Sequence, residues 1–152
     1  MQDTNKPQCF LYTNCNHCNC ENSFCLRKYK TKYLYKEALL PKSRWAKQVL
    51  KVDADGTDVN EFKQIVDIEA NIKDFVTAGR NLFLYSTNCG NGKTSSAIRL
   101  LQAYLGNVWV ESELTCRALF VNTTEFLQAI KDNISGYNPY ADQIKSRVRE
   151  AD

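Results

Sequence analysis

The chain has 152 residues, of which 43% are hydrophobic and 24% are charged, and its formal net charge at pH 7 is +3. This composition predicts a globular protein and excludes a disordered one. No apolar run approaches the ~20 residues that span a membrane, and the polar start Met-Gln-Asp-Thr-Asn-Lys-Pro-Gln has no signal-peptide core. We therefore expect a cytoplasmic protein with no membrane partner, whose seven cysteines do not form structural disulfides.

Five of the seven cysteines lie close together near the start of the chain. They are Cys9, Cys15, Cys18, Cys20 and Cys25. Cys15 and Cys18 have the C-x-x-C spacing that allows two thiolates of one tight turn to bind the same ion. Cys9 and Cys25 can complete a tetrahedral site from either side. In an intracellular chain this pattern predicts a structural Zn²⁺ bound by Cys9, Cys15, Cys18 and Cys25.

The ligand set stays open, because five thiols and one imidazole compete for four positions. Cys20 or His17 can take the place of Cys9 or Cys18. A redox role for the C-x-x-C pair is the alternative, but such motifs normally lie where a strand enters a helix, and no such context surrounds Cys15. An all-sulfur site leaves no coordination position open, which argues against catalytic zinc.

A basic segment follows the cysteines. Between residues 26 and 51 there are nine Lys or Arg residues and one acidic residue, Glu37. Apolar residues recur at helical spacing over 26–40, and Pro41 ends the predicted helix. Such a helix can bind single-stranded DNA through phosphate contacts and stacking, or dock on an acidic protein. Alternatively its three tyrosines form the stripe that faces the core. These are Tyr29, Tyr33 and Tyr35. We assign residues 1–50 to a cysteine-rich zinc module with a basic helix.

Residues 51–152 predict helices that alternate with strands. A capping box at Asp58 and Glu61 starts a helix that Gly79 stops, and residues 82–85 form a strand. The next helix begins at Lys93 and ends at Gly106. The remaining predicted elements are a weak strand at 108–110, a strand at 118–121, a helix at 125–132 with a cap among Asn122, Thr123 and Thr124, and a helix at 140–150. This alternation specifies an α/β fold with a parallel sheet.

The loop between the first strand and the next helix has the chemistry of a phosphate-binding loop. The pattern G-x-x-x-x-G-K-[ST] fits Thr87 to Thr94 at every position except the first, where Thr87 replaces glycine. Gly90 and Gly92 give the backbone freedom to turn amides around phosphate oxygens, Lys93 supplies a cation, and Thr94 a hydroxyl for Mg²⁺. The predicted ligands are therefore ATP and Mg²⁺. The residues predicted to bind them are Thr87, Gly90, Asn91, Gly92, Lys93, Thr94 and Ser95.

The residues around this loop also carry a family resemblance. Tyr85-Ser-Thr-Asn-Cys-Gly-Asn-Gly-Lys-Thr-Ser95, with Leu119-Phe-Val-Asn-Thr-Thr-Glu-Phe-Leu127 and the upstream cysteines, resembles the DnaC/DnaI-type AAA+ helicase loaders. The closest likeness is to the phage-type replication proteins of that family, and it covers most of the chain. It implies an incomplete P-loop (AAA+-type) parallel sheet sandwich, preceded by a small zinc-binding helical module, with residues 51–152 as the first part of the ATPase domain.

The resemblance also implies a function in DNA replication. It implies ATP binding and a replicative DNA helicase as the partner of the zinc module. Whether the chain also forms a homo-oligomer stays open. The Walker B acidic pair, the sensor residues and the arginine finger of the family have no counterpart after the loop. Hydrolysis relies on Mg²⁺ held by both the loop hydroxyl and a Walker B Asp, so we expect binding and leave turnover open. The alternatives are a non-hydrolysing adaptor or decoy that binds helicase, and a zinc-dependent single-stranded-DNA-binding module.

Overall fold

The computed structural model describes residues 9–11, 15, 25–50, 59–108 and 116–151 of the chain. These residues form six α-helices and one short 3₁₀ helix. In chain order they are α1 (Leu26–Glu37), the 3₁₀ helix Lys42–Arg44, α2 (Val59–Ala70), α3 (Ile72–Thr77), α4 (Lys93–Val108), α5 (Thr123–Ser135) and α6 (Pro139–Glu150). None of these described helices is both long and apolar enough to cross a membrane.

The predicted α/β fold, an incomplete P-loop (AAA+-type) parallel sheet, is wrong. The described residues form helices, and none of them belongs to a β-strand. The predicted strands at 82–85 and 118–121 are not helical, but neither pairs with another strand. Instead, the amide of Phe120 donates to the carbonyl of Ala38, at 2.8 Å, beyond the end of α1. Apolar residues of this kind favour an extended backbone, but a sheet also needs a partner strand about 4.8 Å away, which the local pattern does not provide.

The weak strand predicted at 108–110 is also not found where the structure can be compared with it. Val108 is the last residue of α4, and residues 109–115 lie outside the described part. The helix that begins at Lys93 therefore continues past Gly106, the predicted end. Glycine lowers helix stability without ending a helix by itself, and here no left-handed turn follows it.

The hydrophobic core lies between α1 and α4. Leu34 and Tyr35 on the inner face of α1 pack with Ile98 and Leu105, which lie two turns apart on α4. The rest of this buried cluster consists of Ala38, Leu40, Trp45 and Ala118. Residues from both sides of the predicted boundary at residue 50 share this core, and the division into two modules stays a prediction.

An aromatic group closes one end of the core. The rings of Phe10, Tyr35 and Trp45 contact one another with centroids 5.4 to 6.1 Å apart and tilted planes. Tilted aromatic pairs of this kind contribute about 0.5–1.5 kcal/mol each beyond the area they bury. Trp45 Nε1 donates to the carbonyl of Leu40 at 3.0 Å, so its polar edge is satisfied inside the core. The group attaches residues 9–11 to α1.

Gln102 of α4 fixes the segment after the 3₁₀ helix. Its Nε2 lies 2.8, 3.1 and 3.2 Å from three successive backbone carbonyl oxygens, those of Arg44, Trp45 and Ala46, which share its two hydrogens. Trp45 is buried, and a buried carbonyl without a donor costs about 1–3 kcal/mol. The carbonyls of Arg44 and Ala46 also accept from Gln48 Nε2, at 3.4 and 2.9 Å. The core is therefore held by polar as well as apolar contacts.

Two helices end with the same left-handed turn. After α1, Leu39 has φ +56°, the Leu39 amide donates to Lys36, and the Leu40 amide donates to Tyr35. After α3, Gly79 has φ +63°, and the amides of residues 79 and 80 make the equivalent bonds to Val76 and Phe75. This is the Schellman motif, which satisfies the last free carbonyls of a helix. The predicted stop at Gly79 is confirmed, whereas α1 ends four residues before Pro41.

The single helix predicted from Asp58 to Gly79 is divided into α2 and α3 at Asn71. The Asn71 Nδ2 donates to the carbonyl of Asp67 at 3.0 Å, and its backbone has φ −116° and ψ 30°. An Asn side chain that bonds to a nearby backbone carbonyl offers the chain an alternative to helix, which explains the break. Asp58 lies outside the described residues. Glu69 of α2 pairs with Arg99 of α4 at 2.6 Å.

The last two helices begin at asparagine caps. Asn122 Oδ1 accepts from the amides of residues 124 and 125, and Asn138 Oδ1 accepts from the amides of residues 140 and 141. Both caps satisfy amides that a first helical turn leaves free. Arg147 of α6 then donates to the carboxylate of Glu37 at 2.6 Å and to the Glu37 carbonyl, which attaches α6 to the end of α1.

Two glycines provide a matched test of these backbone assignments. A Cβ at Gly79 or at Gly106 would meet nothing within 4 Å, but only Gly79 has a positive φ. We expect Gly79→Ala to lower the free energy of unfolding by about 1 kcal/mol, because L-residues are strained there. Gly106→Ala should raise it by about 0.5 kcal/mol, because alanine favours a helix. Urea unfolding of both variants measures the two values, and equal effects would contradict the turn.

Tyr35 gives the core a pH dependence. Burial raises the pKa of Tyr35 to about 12, from an ordinary value of 10.0. Below pH 10 the tyrosine is neutral in both states, so its contribution is fully present there. Between pH 10 and 12 the unfolded chain loses this proton first, and stability falls by an amount on the order of 2–3 kcal/mol.

We therefore expect the free energy of unfolding of Tyr35→Phe to fall less between pH 10 and 12 than that of the parent chain. The exposed Tyr137→Phe is the control, since Tyr137 is 80% exposed. Denaturant unfolding at several alkaline pH values gives the comparison. Parallel stability–pH curves for the parent and Tyr35→Phe would contradict the assignment of the effect to this residue.

Candidate phosphate-binding site

The loop of residues 86–92 is closed at its base by Ser86. The Ser86 Oγ accepts from the amide of Asn88 at 3.3 Å and from Asn91 Nδ2 at 2.9 Å, and it lies 3.3 Å from the Asn88 carbonyl. One hydroxyl therefore holds both sides of the loop. Ser86 and Asn88 are not among the residues predicted from the sequence to bind the ligand. Serine is common in turns because its hydroxyl can accept from the amide two residues later, so the sequence contained a signal for this role of Ser86.

Gly90 and Gly92 provide the turns that the loop requires. Their φ values are +86° and +74°, in the left-handed region that side chains with a Cβ rarely adopt. A Cβ at either position would meet nothing within 4 Å. Conformation alone therefore explains glycine at both positions, and the space next to the loop is open. Thr87, which replaces the first glycine of the motif, has no positive φ, so that substitution causes no local strain.

The loop ends at the first turn of α4, where backbone amides face the open space. The first helical bond runs from the Ser96 amide to the Gly92 carbonyl at 2.8 Å. The amides of Lys93, Thr94 and Ser95 therefore have no acceptor among the described residues. The first turn contains no acidic side chain. The positive end of the helix dipole is thus available to an anion.

Lys93 extends back over the loop. Its Nζ donates to the carbonyl of Asn88 at 2.8 Å. Within the described residues its ammonium has no carboxylate partner. A neutral carbonyl is a weaker acceptor for an ammonium than an anionic oxygen, so a phosphate at the loop could take its place. The Lys93 ammonium therefore lies at the loop without a neighbouring carboxylate among the described residues.

The structure brings the seven predicted ligand residues into one continuous loop and helix start. Among them, Thr87, Gly90, Asn91 and Thr94 are exposed, and Gly92, Lys93 and Ser95 are half-buried. The donor set fits a phosphate group: two left-handed glycines, three free amides and one ammonium. For Mg²⁺ the exposed Thr94 hydroxyl would be one ligand, and the described residues contain no cluster of three or more His, Cys, Asp or Glu side chains to add others.

The predicted zinc ligands are only partly described. Cys9, Cys15 and Cys25 belong to the described residues, whereas Cys18, Cys20 and His17 lie outside them. The described cysteines do not form a metal-binding group of three. Cys25 caps α1, since its Sγ accepts from the Lys28 amide at 3.4 Å. The zinc site therefore stays a prediction.

The outer face of α1 is the second candidate surface. Tyr35 belongs to the core, as one reading of the tyrosine stripe expected, but Tyr29 and Tyr33 are 52% and 43% exposed. They lie one turn apart, next to the exposed Lys32 and Lys36. Glu37, the acidic residue of the helix, faces Arg147. The outer face is therefore basic and aromatic.

A cavity of about 530 Å³ lies between α1, α2 and α4, away from the loop. Glu69 and Arg99, which line it, form an ion pair with each other. These two charges therefore neutralise each other within the cavity.

Comparison of the chain with protein-family models, curated proteins and solved structures gave no match.

Proposed function

We propose that this chain binds the phosphates of a nucleoside triphosphate at residues 86–95, as an ATP-binding protein of DNA replication. The observation that carries the proposal is the loop before α4, in which two left-handed glycines precede three free amides and Lys93 lies over them. Backbone amides and a helix N-terminus favour negative charge. The ammonium adds a charge-assisted hydrogen bond. These groups lie within one short segment of the chain, residues 86–95.

Preorganisation is the physical advantage of this arrangement. Ser86 already closes the loop, and the core holds α4, so little conformational entropy is lost when a phosphate binds. Lys93 exchanges the Asn88 carbonyl for a phosphate oxygen. Bound Mg²⁺ would neutralise charge on the phosphates, with the Thr94 hydroxyl among its ligands. These steps describe binding alone.

The role in replication rests on the sequence resemblance to helicase loaders. On this proposal a replicative helicase contacts the cysteine-rich segment around Cys9–Cys25, which zinc folds. The described loop and helix start supply groups that bind phosphate, so the proposal covers ATP binding and does not extend to hydrolysis. A non-hydrolysing adaptor of this kind is compatible with the same loop.

ATP with Mg²⁺ is expected to raise the melting temperature. At an ATP concentration about a hundred times Kd the stabilisation is about 2.7 kcal/mol, which corresponds to ~5–10 °C for a chain of this size. Lys93→Ala should remove most of this shift, because it deletes the ammonium. Lys131→Ala, an exposed lysine on α5, should keep it. Thermal scanning with and without millimolar ATP measures all three proteins.

A chain that shows no shift at millimolar ATP, or a shift that Lys93→Ala leaves intact, would refute the phosphate site. Continuous phosphate release that depends on Lys93 would instead contradict the non-hydrolysing adaptor. The two outcomes are separate, because the first concerns binding and the second concerns turnover.

A second function, single-stranded DNA binding, is favoured by the outer face of α1. Tyr29 and Tyr33 offer two exposed rings one helical turn apart, and Lys32 and Lys36 flank them. Rings of this kind stack on bases, and lysines contact phosphates, which is the usual combination for single strands. The hypothesis of DNA binding needs exposed rings, and tyrosines buried in the core would not support it.

The double variant Tyr29→Ala, Tyr33→Ala should weaken binding of a fluorescent oligo-dT at least tenfold, since stacking contributes about 1–3 kcal/mol per base. Tyr137 lies outside α1 and is even more exposed, at 80%, so Tyr137→Ala should bind like the parent chain. Fluorescence anisotropy at several salt concentrations gives both affinity and charge dependence. Equal loss in the two variants, or no binding at low salt, would contradict this surface.

A further inference from the structure

An extended segment before the phosphate loop exposes large apolar side chains. Phe83 and Tyr85 are 87% and 74% exposed, and Leu82 is 41% exposed. The rings of Phe83 and Tyr85 contact each other, and most of the surface of both side chains is in solvent. Contiguous apolar side chains in solvent generally mark an interaction site.

The backbone of residues 82–85 is not helical and does not pair with another described residue, and the spacing of two rings indicates that it is extended. The Phe83 and Tyr85 rings are nearly parallel, at 12°, with centroids 6.4 Å apart. Residues two apart on an extended chain point to the same face and are about 6.6 Å apart, which agrees with this separation. Within the described residues, the amides and carbonyls of 82–85 make no hydrogen bond. The segment is therefore an open edge for another strand.

The charge pattern indicates which strand can pair with it. Residues 81–92 contain no Asp, Glu, Lys, Arg or His, so nothing in the segment repels an identical copy. The flanking Arg80 lies over the Phe75 ring, 5.7 Å from its centroid, and so is directed toward α3. Natural edge strands usually carry charges that prevent self-pairing, and this one carries none.

The direction of pairing follows from Arg80 as well. In an antiparallel pair centred on Leu84, the two copies of Arg80 are about 26 Å apart, because eight residues separate each from the position opposite it. Parallel pairing in register would bring them side by side. The antiparallel pair also has two-fold symmetry, which a self-complementary interface requires.

We propose that two copies of this chain associate through antiparallel pairing of residues 82–86, centred on Leu84. Phe83 then lies opposite Tyr85 of the partner subunit, on one face of the two-stranded ribbon, in the cross-strand aromatic arrangement that sheets favour. This ribbon forms between chains and adds no parallel sheet within one chain. A two-stranded ribbon is marginal in water, so the dimer depends on protein concentration.

Light scattering after size-exclusion chromatography tests the proposal over a range of loading concentrations. The mass of the parent chain should rise from 17.4 kDa toward twice that value as concentration increases. The double variant Phe83→Lys, Tyr85→Lys should stay at 17.4 kDa, because like charges then face each other. Tyr137→Lys is the matched control and should dimerise like the parent. Circular dichroism checks that each variant keeps its helices.

Hydrogen exchange of the unmodified chain gives a second measurement that needs no variant. The amides of residues 82–86 should exchange several-fold more slowly at high than at low protein concentration, whereas those of α6 should not change. A chain that is monomeric at all concentrations would overturn the proposal. A dimer that persists in a folded double variant, or that leaves the exchange of 82–86 unchanged, would overturn it as well.

Discussion

The packing of α1 against α4 is the contact on which the rest of this structure depends. Leu34 and Tyr35 on one helix and Ile98 and Leu105 on the other are almost completely buried, and each such side chain contributes about 1.5–3 kcal/mol when it leaves water. The same contact orients both ends of α4. The middle of the helix anchors a turn through Gln102, and its N-terminus presents the phosphate loop.

The phosphate loop leads into a helix whose buried face packs in the protein interior. Ser96 and Ile98 are buried in the first and second turns of α4, so the amides that precede them keep a fixed direction. Ser86 then holds the loop against its own Asn91. The position of the Lys93 ammonium therefore follows from the packing of the helix that carries it. This ammonium donates to one carbonyl, that of Asn88.

The same packing decides which apolar residues stay in water. Since the inner face of α1 is used by the core, Tyr29 and Tyr33 are left outside among lysines. Phe83 and Tyr85 are left outside on a segment without charge. These two aromatic surfaces differ in their electrostatics, and for that reason they suit different partners. A polyanion is attracted to the first, and an uncharged strand of the same sequence meets no repulsion at the second.

The sequence by itself determined what depends on a few neighbouring residues: the positions of most helices, the stop at Gly79, and the glycine and lysine chemistry of residues 86–95. Only the tertiary structure decided the rest. Tyr33 and Tyr35 are two residues apart in the same helix, yet one is exposed and the other is core, because α4 covers only one side. The prediction of a sheet was wrong for the same reason. The hydrogen bond of Phe120 runs to the end of α1, far away along the chain, and such pairing is set by which elements meet in space rather than by the preference of either segment for an extended backbone.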